Sequence, residues 1–264
     1  MTSEKTLLSY YSGCGNSFCI IDNRENVLPK EKEQISKLCH LERGVDGLIY
    51  IGKSQKADFS MLFFNNDGSP AAMCGNGIRC CAKYVIDKLH FPHNVITIEI
   101  GGRILEVKKQ NNLFEVDMGQ IVELKKPITL AYEGKTYTVY LVNSGVEHAV
   151  IFLPDIEKVD VVKMGAFFRH HPNFSPHGAN VNFVDPKKLT IRTYERGVEA
   201  ETLACGTGCV AAAYLLSKYY RLPSPITLTV RSQESLQVTI AQDCATLLGP
   251  AVWHEDKEIT YATK

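Results

Sequence analysis

The chain has 264 residues, 45% hydrophobic and 22% charged, with 29 basic and 29 acidic residues and therefore no formal net charge. That length supports one large or two medium globular domains with a full core, and the balanced charge excludes a global attraction to nucleic acid or an anionic membrane. Residues 1–13 lack the apolar run of an export signal and no window approaches the 18 apolar residues of a membrane helix, so a cytoplasmic protein is expected.

In chain order, residues 10–22 read as a strand entered through the turn 13–16, with an apolar run over 18–21. A helix is expected over 30–42, where Ile35, Leu38 and Cys39 share a face. Short strands follow over 48–51 and 59–64, the second ending in the turn cluster 65–70. Next come a helix over 78–89, a hairpin of 95–100 with 103–108 across Gly101-Gly102, and a strand over 113–118. The second half repeats this order. Strands are expected over 137–142 and 148–152, a helix over 155–170, strands over 179–184 and 188–194, a buried helix over 210–220, and strands over 226–230 and 236–240. Residues 251–260 are left as a last strand that could pair with either half.

The repeat is carried by one short pattern. Cys74-Gly75-Asn76-Gly77 returns 131 residues later as Cys205-Gly206-Thr207-Gly208, each time directly before a helix. The periodicity therefore implies an internal duplication of a strand-rich half wrapped on one helix. The expected domains are 1–120, carrying Cys74, and 121–250, carrying Cys205, with residues 251–264 joining the first or the second. The boundary is expected in 119–126 and the active site in the cleft between the halves.

Nine cysteines is an odd number and none forms a Cys-x-x-Cys pair, which argues against a disulfide framework and against structural zinc. Most should be small buried hydrophobes. Cys74 and Cys205 differ, because a thiol at a helix mouth meets unpaired backbone N–H groups and the positive end of the helix dipole. Those groups favour a thiolate and can hold a carboxylate beside it. No His stands out next to either motif, which weakens an acyl-transfer reading. Two thiols flanking one amino acid suit proton abstraction from Cα on one face and delivery on the other, with the carbanion steadied by amides aimed at the α-carboxylate. That reaction needs no metal, pyridoxal phosphate or nicotinamide, and no motif for one is present.

Over nearly its whole length the sequence resembles the diaminopimelate epimerases. The resemblance rests on Gly15-Asn16-Ser17-Phe18, Phe64-Asn65-Asn66-Asp67-Gly68, Cys74-Gly75-Asn76-Gly77 with Arg79-Cys80, Asn180, Tyr194-Glu195-Arg196-Gly197, and Glu201-Thr202 before Cys205-Gly206-Thr207-Gly208. It implies a mixed α/β (α+β) fold of two pseudo-symmetric domains, each a barrel-like sheet around a central helix. It also implies epimerisation of LL-2,6-diaminopimelate to the meso isomer without a cofactor, as a step toward lysine and peptidoglycan precursors. Cys74 and Cys205 would be base and acid. The amides of Gly75, Asn76, Gly206 and Thr207 would hold the α-carboxylate. Asn16, Asn65, Asn180, Glu195 and Arg196 would grip the rest of the substrate, and His148 would tune the cysteines. The expected partner is an amino acid, with no nucleic acid, membrane or metal, and a homodimer is left open.

Plainer roles are open to the same residues. Asn16, Asn65 and Asn180 could be turn residues, and Glu195 and Arg196 a solvated surface pair. The chain also departs from the common pattern. Ser17 replaces an Asp, Gly47 stands where many members have a Gln, Val146-Glu147 replaces Asn-Pro before His148, and 195–202 is one residue longer. These departures keep open a broader acidic amino-acid racemase acting on glutamate. The same two cysteines would also serve a proline racemase-type enzyme, or a thiol redox or metal-binding protein.

Overall fold

The computed structural model describes residues 3–28, 30–41, 44–71, 74–174 and 176–262. Two of the stretches read above run past these limits: the helix expected over 30–42 includes Glu42, and the first cysteine motif follows Met73, both outside the described residues. The fold is mixed α/β, with four α-helices among many strands in the described residues. Chain contacts divide it into two compact units, Met1–Val116 with Gly249–Lys264, and Asp117–Leu248. No described helix is long and apolar enough to cross a membrane.

In the first unit, β1 (Ser3–Gly13) and β2 (Asn16–Asp22) form an antiparallel hairpin in which Gly13 pairs with Asn16. The two loop residues, Cys14 at φ 51° and Gly15 at φ 85°, are both left-handed, as a tight two-residue hairpin with right-handed strand twist requires. Helix α1 (Lys32–Cys39) buries Ile35 and Cys39 and carries the chain to β3 (Gly47–Gly52), parallel to β2. Strand β4 (Phe59–Asn65) runs antiparallel to β3, and a short β5 (Pro70–Ala71) folds back on β4. Helix α2 (Gly75–Lys88) follows, then β6 (Val95–Ile100), β7 (Arg103–Gln110) and β8 (Leu113–Gln120) as an antiparallel meander. The α2 face made by Ile78, Cys81, Ala82 and Val85 is wholly buried. It lies against β1, β2, β3, β4 and β7, so this helix is the centre of the unit.

The second unit runs through β9 (Val122–Tyr132), β10 (Lys135–Asn143), β11 (Glu147–Phe152), α3 (Val161–Arg169), β12 (Asn180–Asp185), β13 (Thr190–Glu195) and β14 (Ala200–Thr202). It ends with α4 (Gly206–Tyr220), β15 (Ile226–Thr229), β16 (Ser235–Ala241) and β17 (Cys244–Pro250), and β18 (Val252–Ala262) returns to the first unit. Helix α4 buries Val210, Ala211, Ala212, Ala213, Leu215 and Leu216 completely and packs on β11, β12, β15 and β16. A second core, centred on Phe168 and Phe183, fills the space between α3 and the sheet.

The duplication is visible in the pairings themselves. In each unit a hairpin leads to a parallel neighbour, β2 with β3 and β11 with β12. The next strand reaches across the helix to a parallel partner: Phe59 of β4 faces Ile98, and Thr190 of β13 faces Thr229. Both residues of that pair are displaced by 131, the same interval that separates the two cysteines. Strand β18 pairs antiparallel with β1 as β9 does with β10. The leftover C-terminal strand therefore supplies the first unit with the strand that precedes β10 in the second.

The stretch 119–126, where the domain boundary is expected, holds the end of β8 at Gln120 and the start of β9 at Val122. Strand β9 is largely exposed and carries Pro127, so its letters lack alternation; the pairing accommodates the missing N–H at a bulge between Val139–Ile128 and Leu141–Lys125. The helix expected over 155–170 is broken. Asp155 is left-handed, Ile156–Lys158 is one turn of 3-10 helix, and only then does Asp160 cap α3 by accepting from the Lys163 amide at 3.0 Å. The cause lies elsewhere in the chain. The Ile156, Glu157 and Val159 carbonyls accept from the Arg192 guanidinium at 2.9, 3.4 and 3.1 Å, and only that of Ile156 also closes a turn, onto the Val159 amide. Finally, β1 begins at Ser3, well before the strand expected from residue 10, because pairing with β18 orders residues whose own pattern is weak.

Candidate active site

Each cysteine is the N-cap of its unit's buried helix. Cys74 precedes α2 in extended conformation and its Sγ accepts from the Gly77 amide at 3.4 Å. Cys205 precedes α4 in the same conformation, and its Sγ lies 3.4 Å from the Thr207 hydroxyl. Neither helix has an acidic residue in its first turn. The leading amides and the dipole of each helix are thus left to serve an anion. Cys74 is half-buried and Cys205 is 8% exposed.

In the first unit, Asn76 is buried and donates through Nδ2 to Asn16 Oδ1 at 2.6 Å. The hairpin tip and the mouth of α2 are therefore one assembly of Asn16, Cys74, Gly75 and Asn76. The fully buried Arg79 holds it from behind, donating to Asn76 Oδ1 at 2.7 Å, the Gly75 carbonyl at 3.3 Å, Cys14 Sγ at 3.4 Å and the Pro250 carbonyl at 3.1 Å. Asn65 behaves differently: it is exposed and closes its own turn, with its side chain donating to Ser69 Oγ and its backbone paired to Ser69 and Gly68. Two departures from the family pattern gain a physical account here. Ser17 takes its carboxylate from across the turn, with both its amide and hydroxyl donating to Asp46. At Gly47 a Cβ would meet Phe63 Cε2 at 2.5 Å and the Phe64 carbonyl at 2.8 Å, so Phe63 leaves no room for any longer side chain.

In the second unit, Ser144 Oγ donates to the Thr207 carbonyl at 2.8 Å and ties the β10–β11 turn to the mouth of α4. Behind it lies a buried polar chain. Asn182 Nδ2 donates to the Ala149 carbonyl and to His148 Nδ1, while its Oδ1 accepts from Thr193 at 3.0 Å. A Cβ on Gly208 would lie 2.3 Å from Asn182 Oδ1, so this helix mouth must be glycine for the network to close. With Nδ1 accepting, the His148 proton sits on Nε2, which is buried without a hydrogen-bond partner among the described residues. Burial first, and the Arg196 charge second, push its pKa down to about 3, against some support from Asn182. Asn180 clamps the rim: its Oδ1 accepts from the Arg196 amide at 2.9 Å and its Nδ2 donates to the Glu147 carbonyl at 3.2 Å. Arg196 Nη1 donates to Glu147 Oε2 at 2.8 Å and to the Gly178 carbonyl at 3.0 Å. Burial raises the Glu195 carboxyl above its ordinary range.

Four residues of these two mouths, Arg79, Ser144, Glu147 and Asn182, were not among the site residues expected from the sequence. Arg79 follows the cysteine motif by two residues and could have been found by asking what a cation does near the start of a helix. Nothing local marks Ser144 or Asn182, whose side-chain partners lie 11 to 63 residues away.

The His148 shift has a testable consequence. The imidazole titrates near 6.5 when unperturbed and near 3 in the fold. Above 6.5 neither state is charged; as pH falls below it the unfolded chain takes up the proton first, so stability is lost progressively down to the folded value. Going from pH 7.5 to 5 should cost about 2 kcal/mol through this residue. Urea unfolding at pH 7.5 and 5 should show that loss in the native chain and a smaller loss in His148→Gln. Equal losses would contradict a neutral buried imidazole.

A model of the diaminopimelate epimerase family matches residues 8–124 and 140–253. The chain belongs to this family. The diaminopimelate epimerase of Hydrogenobaculum is 40% identical, over 92% of this chain and 95% of its own. That of Methanocella arvoryzae is 39% identical, over 90% and 91%. Among solved structures, a phenazine biosynthesis protein of the PhzF family from Enterococcus faecalis superposes with a TM-score of 0.76 at 13% identity, covering 97% of this chain and 99% of that one. A hydroxyproline epimerase from Agrobacterium vitis superposes with a TM-score of 0.72 at 14% identity, covering 97% and 92%. At such identities the two structures share the family's fold and nothing finer. Both cysteine motifs lie inside the matched segments.

Proposed function

We propose that this isomerase interconverts LL- and meso-2,6-diaminopimelate by two-thiol proton transfer, with Cys74 and Cys205 as the exchanging acid and base. The observation that carries the reading is the recurrence of one device: a cysteine capping the buried helix of each unit, 131 residues apart, in a chain of this family. One thiolate removes the α-proton, leaving the electron pair on Cα. The other thiol gives its proton to the opposite face, so the sulfur charges exchange as the centre inverts. The α-carboxylate is held by the amides of Gly75, Asn76, Gly206 and Thr207, which delocalises the developing negative charge into a field built for it. Inversion requires both sulfurs at one carbon, so the reading has the two mouths address the same amino acid. Incubation with LL-diaminopimelate in deuterated water should yield meso product with one deuterium on the inverted carbon. Folded protein that produces neither isomerisation nor exchange would refute it.

Asn16, Asn180, Glu195 and Arg196 are proposed to hold the distal amino-acid group, Arg196 taking its carboxylate through the guanidinium edge opposite Nη1. Glu147 competes for that cation. Arg196 stays oriented without it, through Gly178 and Asn180. Glu147→Gln should therefore lower KM by about twofold to fivefold, the range of a half-exposed ion pair, and leave kcat unchanged. A rise in KM would show that Glu147 positions Arg196 instead of opposing the substrate.

A further inference from the structure

The two helix mouths are alike in backbone and unlike in charge. At the fifth position of α2 stands Arg79, 0% exposed, and at the matching position of α4, 131 residues on, stands Val210, also 0% exposed. A cation in the first turns of a helix opposes the dipole, and burying one without a carboxylate is costly. Among the described residues Arg79 has no carboxylate partner; its donors go to two carbonyls, an amide oxygen and the Cys14 sulfur. Hydrogen bonds satisfy its N–H groups, but none of these acceptors cancels its charge. A fold that retains such a group beside a helix-capping thiol gains an electrostatic function from it.

We infer that Arg79 is the positioning residue that makes Cys74, and not Cys205, the resting thiolate, while it locks Asn76 and Asn16 at the same mouth. This rests on the two-thiol reading. Nη1 bonds the carbonyl of Gly75, the residue joined to Cys74, and the neighbouring Cys80 thiol feels both Arg79 and Cys74, so the guanidinium and the two sulfurs share one electrostatic neighbourhood. The Cys74 sulfur also accepts a backbone N–H from Gly77, a bond that strengthens when sulfur is charged. Cys205 has a hydroxyl beside it and an apolar valine in the place of the guanidinium. Cys14 is wholly buried at the hairpin tip, and its sulfur accepts from Nη2 at 3.4 Å. Two thiols at one carbon cannot both ionise cheaply, so an asymmetric field decides which loses its proton first. Arg79 supplies that asymmetry.

The test is alkylation with iodoacetamide across pH 5–10, resolved by peptide mass spectrometry, with the midpoint for each cysteine as the readout. Accessibility scales the rates but leaves the midpoints in place. In the native chain Cys74 should titrate at least about one pH unit below Cys205, a tenfold difference in thiolate at low pH. Arg79→Gln should raise the Cys74 midpoint by about a unit and leave Cys205 where it is, and Arg79→Lys, which keeps the charge but not the fork, should restore most of the shift. Coincident or reversed midpoints in the native chain would overturn the inference without any variant, should Arg79→Gln not fold. So would Cys14 labelling ahead of Cys74, an unmoved midpoint in Arg79→Gln, or a Lys variant that behaves like Gln. An inactive native chain would defeat the epimerase reading and still leave these midpoints to decide the role of Arg79.

Discussion

Cys74→Ala and Cys205→Ala, prepared separately, should each lose inversion of diaminopimelate by about 10³-fold or more, since on the proposed two-thiol reading each removes a group that gives or takes a proton in the transition state. The two losses should differ in kind. With one sulfur left, a thiolate can still take the proton from the face it meets and return a solvent-derived one to the same face. Each variant should therefore retain slow deuterium exchange from one stereoisomer, and the two should retain it from opposite isomers. Cys74 is half-buried and Cys205 is 8% exposed, and each substitution trades a thiol at a helix cap for a methyl group, so unfolding midpoints should move little. Deuterium incorporation read separately for each isomer decides the matter. Exchange from both isomers in either variant would mean that a single group serves both faces.

Arg192→Leu should be the most damaging substitution for the second unit, at about 3–5 kcal/mol. Arg192 faces Glu201 as a planar fork, with Nε and Nη2 each 2.7 Å from one carboxylate oxygen, while Nη1 gathers the three carbonyls of the broken 156–159 segment. Removing it strands a half-buried carboxylate and takes the side-chain donor from three carbonyls, of which that of Ile156 keeps the Val159 amide. Lysine cannot substitute, because a single ammonium cannot span the carboxylate and the three carbonyls together. The damage should extend to substrate binding, because β14, which carries Glu201, pairs with β13 and fixes the hairpin from which Glu195 and Arg196 project. Urea unfolding together with KM measures both. An unchanged midpoint would mean that Arg231, which also approaches Glu201 at 3.6 Å, takes over the pair.

How much of this was readable from letters depends on where the cause of each feature lies. The two cysteine motifs were legible because their physics is local: a thiol, two glycines and the following helix are adjacent in the chain. The β6–β7 hairpin was legible because Gly101 and Gly102, at φ 56° and 77°, form its two-residue turn. Helix α4 was legible from its unbroken apolar run. Strands β9, β14 and β17 were not: β9 is largely exposed, β14 is three residues long, and all three are ordered by hairpin pairing with β10, β13 and β16. The helix expected over 155–170 failed because an arginine more than thirty residues downstream claims its carbonyls.

The sequence alone determined the duplication, the two thiols at two helix mouths, and the family, since each is written in contiguous residues or in their repetition at a constant interval. Only the tertiary structure decided that the C-terminal strand completes the first unit, that Asn65 closes its own turn, and that His148 stays neutral. It alone placed an uncancelled guanidinium behind one cysteine and a valine behind the other. Burial, partner and field are sums over atoms brought together by folding, and no window of neighbouring letters contains them.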